Sequence, residues 1–329
     1  MSGALLLTAC GRQAPPTSEL EAQSAPMTLA PLVLLSPGGI ERVSVASDGT
    51  QGNASSTTHS ISADGRYVAF QSQASNLVPH DTNDTWDVFV FDRDTNRIQR
   101  VSVASDGTQG DSLSRRPSIS ADGRYVAFRS AATNLVEGDT NGREDVFVHD
   151  RATGTTERVS VSSGGEQAND HSIEPSISAT GRYVAFMSYA SNLVDDDTNG
   201  VENVFVHDRE TGQTMRVSVA SDGTQASAPS GRPSISPDGL FVAFDSIAYD
   251  LVPNDVNSAQ DVFVHDLLAG TTELVSLSSD GVRGNAFSVW PSIGQDGRYV
   301  AFYSNATSLV PGDTNGLVDV FVRDRATGT

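Results

Sequence analysis

Pro117-Ser118-Ile119-Ser120-Ala121-Asp122-Gly123-Arg124-Tyr125-Val126-Ala127-Phe128 recurs, barely changed, around Ile61, Ile177, Ile235 and Ile293. Each copy lies 58 residues from the next. A second block, Asp145-Val146-Phe147-Val148, keeps the same step at Val88, Val204, Val262 and Val320. A third, Arg158-Val159-Ser160-Val161, keeps it at Val43, Val101, Val217 and Val275. A fixed period of this length decides the architecture before any single element is assigned. Each unit buries its apolar face against the next, so one array absorbs a length that would otherwise suggest two domains.

One copy reads as four strands. Ser118-Ile119-Ser120 is short and extended, and Asp122-Gly123 is a tight-turn dipeptide favouring positive φ. Tyr125-Val126-Ala127-Phe128 is apolar on both faces. A long connection, 131–144, leads to Asp145-Val146-Phe147-Val148-His149-Asp150. Ala152-Thr153-Gly154-Thr155 then turns the chain into Thr156-Glu157-Arg158-Val159-Ser160-Val161, whose alternation suits an edge. No stretch carries a helical period. The expected fold is all-β: a five-bladed β-propeller of four-stranded antiparallel blades. Residues 40–329 number 290, five times 58. The last copy stops at Arg325-Ala326-Thr327-Gly328-Thr329, and Ile40-Glu41-Arg42-Val43-Ser44-Val45 reads as its absent fourth strand. The ring is therefore expected to be closed by the N-terminal strand, which would hide a sheet edge. An open piece of a larger propeller is the alternative.

Ser236-Pro237-Asp238-Gly239 followed by Val242-Ala243-Phe244 resembles the repeat of TolB-type, WD-like bacterial propellers, as do the strands reading Asp-Val-Phe-Val-His-Asp. The resemblance spans residues 40–329. It implies a propeller and a setting in the cell envelope, without implying one activity. The chain differs from TolB itself, which has six blades and an additional α/β domain.

Residues 1–10 have the outline of a lipoprotein signal segment. Ala4-Leu5-Leu6-Leu7-Thr8-Ala9 is too short to span a bilayer. Leu7-Thr8-Ala9-Cys10 resembles the bacterial lipobox, which implies lipidation of Cys10, although no Arg or Lys precedes the apolar core. Residues 11–38, rich in Ala, Pro, Ser and Gln, read as a flexible tether. The chain is thus expected to be exported and held at a membrane by lipid alone, in the periplasm or on the cell surface.

Asp and Glu number 41 against 21 basic residues, a net charge of −20. A phosphate backbone demands a basic surface, so nucleic acid is disfavoured. Every basic side chain is Arg, which removes lysine Schiff-base chemistry. Cys10 is the only cysteine, so there is no intrachain disulfide and no cysteine-ligated zinc site.

The connection between second and third strands is acidic in every copy. Oxygen side chains recur as Asp81, Asn83 and Asp87; Asp139, Asn141 and Asp145; Asp197, Asn199 and Asn203; Asp255, Asn257 and Asp261; and Asp313, Asn315 and Asp319. Such spacing suits a calcium loop, with Gly142, Gly200 and Gly316 permitting the turn. The bidentate Glu of an EF-hand is missing. The same residues also build Asx-turns and hairpin caps, so both readings stay open.

In a propeller these loops share a face with the segments preceding each first strand. There the copies diverge. The residue two before the first-strand serine is Thr58, Arg116, Glu174, Arg232 and Trp290 in turn, with Arg115, His171 and Phe287 nearby. Arg115, Arg116, His171, Glu174, Arg232 and Trp290 form the expected rim of a polar-ligand or protein-binding mouth; unconstrained drift is the competing account. His149, His207 and His265 share one third-strand position and read as structural. No Ser-His-Asp order stands out. The favoured function is a non-enzymatic binding or scaffold propeller for a protein, peptide or glycan, acting as a monomer. The alternative is a hydrolase or lyase with carboxylates at the channel mouth.

Overall fold

A computed structural model describes residues 39–329; the signal segment, Cys10 and the tether lie outside the described residues. Nineteen strands fall into five antiparallel sheets, and no helix occurs among the described residues. The first sheet is β1 (Ser56–Ile61), β2 (Tyr67–Ser72), β3 (Asp87–Asp92) and β4 (Arg97–Arg100). The second is β5 (Ser114–Ile119), β6 (Tyr125–Ser130), β7 (Asp145–Asp150) and β8 (Thr155–Arg158). The third comprises β9 (Ser172–Ile177), β10 (Tyr183–Ser188), β11 (Asn203–Asp208) and β12 (Gln213–Arg216). The fourth has β13 (Ser230–Ile235), β14 (Phe241–Ser246), β15 (Asp261–Asp266) and β16 (Thr271–Leu274). The fifth has three strands, β17 (Ser288–Ile293), β18 (Tyr299–Ser304) and β19 (Asp319–Asp324). Neighbours in sequence are neighbours in each sheet, the order expected of propeller blades.

The first strand of each blade is longer than its sequence suggested. β5 begins at Ser114 rather than Ser118, because the pairing slips between Arg115 and Ser118 and then resumes. Arg116 takes the extra residue in a left-handed conformation, φ 56°. One residue inserted against an unbulged partner bends the strand and re-aims the side chain there.

The cores lie between blades. Ala69, Val88, Val90 and Val101 of the first blade meet Ile119, Val126, Phe128, Leu135 and Phe147 of the second. The same two faces meet at the next three junctions. Phe128 and Phe147 stack at 6.0 Å, and both are fully buried. Gly123 is required twice over. Its φ is +72°, and a Cβ there would stand 2.1 Å from the Tyr67 ring of the preceding blade.

The two ends of the array are uncovered. Val320 and Val322 are 66% and 63% exposed, whereas their counterparts Val88 and Val90 are completely buried. At the other end Ile61 is 55% exposed against 7% for Ile119. The segment expected to complete the fifth sheet packs on the first blade. Val43 and Val45 pack on the cluster of Phe70, Phe89 and Phe91, and Glu41 pairs with Arg93 at 2.9 Å. β19 has no fourth-strand partner among the described residues. Apolar contacts and an ion pair anchor the segment to blade 1, where it takes the place that Arg97–Val103 takes on blade 2.

Candidate functional site

The acidic loops and the mouth are built from adjacent backbone. Ser172 N–H donates to the Glu144 carbonyl at 2.7 Å, and Ser230 N–H to that of Glu202 at 3.0 Å. The end of each acidic loop is thereby tied to the first strand of the next blade, so the two share a face.

Within the acidic loops the carboxylates surround a guanidinium. Arg100 lies 3.4 Å from Asp81, Arg158 lies 3.3 Å from Asp139 and 3.7 Å from Asp145, and Arg216 lies 3.4 Å from Asp197. These arginines belong to the fourth strands. In blade 4 that position is Leu274, and Arg283, at the position of Gln109, Gln167 and Gln225, reaches Asp255 at 3.5 Å instead. Losing the arginine from one position coincides with gaining it at another, so each of the first four loops keeps one positive charge. Asn203, the amide in this series, donates to both Asp197 and Asn199 where other blades set a second carboxylate. Ser102, Ser160 and Ser276 donate to Asp87, Asp145 and Asp261, each at 2.6 Å. Burial pushes the Asp139 carboxyl up to about 6, aided by the Asp145 charge and opposed by Arg158. No group of three metal-ligating acidic, His or Cys side chains occurs among the described residues. Asp313 and Asp319 have no arginine among the described residues, where the fifth sheet has no fourth strand to bring one.

At the mouth, the five residues singled out for divergence all adopt the left-handed bulge conformation: Thr58, Arg116, Glu174, Arg232 and Trp290 have φ between 41° and 56°. Glycine takes this conformation without strain, yet none of the five is glycine. The backbone cost falls on a side chain each time, as at positions where the side chain is needed.

Arg116, Glu174, Arg232 and Trp290 line one cavity of about 360 Å³, at the lower end of the size range of ligand pockets. Trp290 is 43% exposed; the guanidinium carbons of Arg232 and Arg116 sit 5.0 and 5.7 Å from its ring. Arg116 pairs with Glu174 at 3.4 Å. Arg232 pairs with Asp245 at 3.1 Å, and Asp245 also accepts from Gln260 at 2.7 Å and from the Trp290 backbone N–H at 3.0 Å. Burial raises the Asp245 pKa despite these donors. The remaining two expected rim residues stand apart. Arg115 stacks on Trp86 at 5.2 Å, and His171 Nδ1 accepts the Glu144 backbone N–H at 2.9 Å.

Two further rings of mouth residues escaped the sequence reading. One is the variable residue of Tyr-Val-Ala-Phe-x-Ser, with Phe241 in place of the Tyr in the fourth copy: Gln71, Arg129, Met187, Asp245 and, in the fifth copy, Tyr303. The other immediately precedes the third strand: Trp86, Glu144, Glu202, Gln260 and Val318. Their signal was the same divergence between copies that marks Arg116 and Trp290. His149, His207 and His265 are buried, their Nδ1 atoms 2.8–2.9 Å from threonine hydroxyls, and burial lowers all three pKa values. Their place is structural.

Comparison with known proteins gives likeness of fold. A protein assigned as TolB from Agrobacterium tumefaciens is similar with a TM-score of 0.52 at 15% identity, over 85% of this chain and 80% of that one. A prolyl endopeptidase is similar with a TM-score of 0.50 at 14% identity, over 84% of this chain and 35% of that one. TolB from Acinetobacter baumannii gives 0.48 at 15%, over 84% of this chain and 53% of that one. The chain therefore spans most of the first structure but only about a third and a half of the other two. No family model and no curated relative matches the sequence. What the chain shares with the first two of these is the fold, a β-propeller.

Proposed function

Taking that propeller as the premise, we propose that this chain is a non-enzymatic binding propeller of the bacterial cell envelope, meeting a protein, peptide or glycan at the mouth of its ring. One observation carries the reading. On a scaffold repeated almost residue for residue, four residues that differ between copies, Arg116, Glu174, Arg232 and Trp290, line one cavity, and do so from strained backbone. A hydrolase working through a pair of carboxyls would need two of them free, but of the three lining the cavity Glu174 is paired with Arg116 and Asp245 with Arg232, which leaves Glu202 alone. Pull-down from envelope extracts tests the proposal. A partner retained by the wild type and by an Arg143→Ala variant of the acidic loop, and lost by Arg232→Ala/Trp290→Ala, is expected. Equal retention by all three would remove the mouth from the account.

The acidic loops are proposed to be turns closed by arginine, and calcium is not required for them. Closure of the ring by Ile40–Val45 is also proposed. Arg42 and Ser44 occupy the repeat positions of Arg100 and Ser102, and among the described residues they have no acidic loop while Asp313 and Asp319 have no arginine and no serine. The register that pairs His149 with Thr156 would set Arg323 opposite Ile40. In a Cys10→Ser background, Ile40→Cys/Arg323→Cys should oxidise to a monomeric disulfide. An intermolecular product, or none, would instead favour an open array. Lipidation at Cys10 is proposed as the anchor, and loss of palmitate labelling in Cys10→Ala tests it.

A further inference from the structure

Blades 2 and 4 pair the variable residue of the second strand with the residue ahead of the third, and blade 3, between them at the mouth cavity, does not. In blade 2, Arg129 on β6 reaches Glu144 at 3.5 Å, so the carboxylate ahead of the third strand is neutralised from within its own blade. In blade 4 the corresponding pair is Asp245 and Gln260, joined at 2.7 Å. In blade 3 the strand residue is Met187, and Glu202 has no basic partner among the described residues. Its polar neighbour is the Tyr189 hydroxyl, whose pKa is raised by burial and then by the Glu202 charge.

Space has opened at the same place. Gly231 stands where other blades carry Arg115, Ile173 and Val289, and a Cβ there would fall 2.6 Å from the Met187 sulfur. Losing that side chain admits Met187 and leaves the cavity beside it. Of the charged groups lining the cavity, Arg116 is matched by Glu174 and Arg232 by Asp245; Glu202 is left over. Its apolar walls are Ile173, Met187 and the indole of Trp290.

We infer that this cavity receives one basic side chain, lysine or arginine, from a peptide segment of the partner. The aliphatic stem lies along Met187, Ile173 and Trp290, and the cationic head reaches Glu202 and the Trp290 face. Long basic side chains bury an apolar stem while keeping their charge among polar groups, and a cation near an indole face gains further attraction. The net charge of −20 draws basic segments toward the molecule and not acidic ones. The inference rests on the mouth being the binding surface.

A fluorescence titration tests it. Trp86→Phe leaves Trp290 as the only indole. The probes are acetyl-Gly-Lys-Gly-amide, acetyl-Gly-Gln-Gly-amide and maltotriose. The lysine peptide should change Trp290 emission with an affinity about tenfold above the glutamine peptide, the scale of one desolvated charge pair, and weaken as salt rises. Glu202→Gln should abolish the difference between the peptides. So should Met187→Arg, which copies the pair blade 2 already contains and so keeps a fold-compatible arrangement. Equal response to lysine and glutamine peptides, or a response to maltotriose alone, would overturn the cationic ligand while leaving the mouth as a binding site. No response to any probe would overturn it too, and the envelope pull-down then reports on the mouth separately.

Discussion

Two polar regions share one face of this propeller, and they treat charge in opposite ways. Around the first four acidic loops both departures are compensated. Where blade 4 replaces the fourth-strand arginine by Leu274, Arg283 supplies the charge, and where blade 3 carries Asn203, its amide donates to Asp197. At the mouth a departure is left standing: Met187 replaces a possible partner and Glu202 stays unmatched. Compensation is the mark of a group whose burial must be balanced for folding. An uncompensated charge beside an exposed indole and a cavity is the mark of a group that waits for something else.

The most forceful way to break this contrast is to remove an arginine from a loop. Arg158→Ala leaves Asp139 and Asp145 facing each other, and loss of one partner from a buried charge cluster costs about 3–5 kcal/mol. Urea denaturation should show that loss. Arg158→Leu/Gln167→Arg, which imitates blade 4, should recover most of it.

A second test concerns the histidines. His149 is held neutral in the fold, its pKa pushed down to about 4 by burial. The unfolded chain takes up a proton below about 6.5, so the His149 contribution is present at neutral pH and is lost as pH falls from about 6.5 towards 4. Its size is of the order of 2–3 kcal/mol. Asp139, whose carboxyl is raised to about 6, works in the opposite sense over the same range, so the variant and the wild type must be compared directly. Blade 1 already pairs Phe91 with Ile98 at these positions. His149→Phe/Thr156→Ile should therefore lose less stability than the wild type between pH 6.5 and 4, as followed by thermal melts.

Calcium offers a smaller effect. With a guanidinium at the centre of each of the first four loops, millimolar Ca²⁺ added to chelator-treated protein should move the melting temperature by no more than about 1 °C, since only binding to the native state raises it. A rise of several degrees would mean that a cation displaces the arginine. Smallest of all, Glu202→Gln should change stability by about 0.5 kcal/mol or less, since Glu202 is half-buried and outside any ion pair among the described residues and Gln can still accept from the Tyr189 hydroxyl, even while it removes the preference for a basic peptide.

Most of the fold was legible in the sequence because the period of 58 repeats every strand five times, so that turn dipeptides and apolar runs confirm one another. The bulged half of each first strand was not. Its residues, such as Ser114-Arg115-Arg116, carry no apolar alternation, and their conformation follows from pairing with β6 rather than from local preference. The free edge of β19 was not legible either. Ile40–Val45 matches a fourth strand, but the sequence does not say whether, besides resting on blade 1, it pairs with β19. At the mouth, divergence between copies found Arg116, Glu174, Arg232 and Trp290. The same comparison applied to the residue after Val-Ala-Phe in each second strand would have found Met187 and Asp245. Gly231 was less accessible, since its importance is the space it vacates.

The contrast between loops and mouth is tested most directly by amide NMR of the intact protein titrated with acetyl-Gly-Lys-Gly-amide. Gly231 and the Trp290 indole N–H report on the mouth, and Gly142, Gly200 and Gly316 on the acidic loops. The expected result is movement of the Gly231 and Trp290 signals with the loop glycines still, whether or not Ca²⁺ is present. Movement of the loop glycines while Gly231 and Trp290 remain fixed would contradict the account.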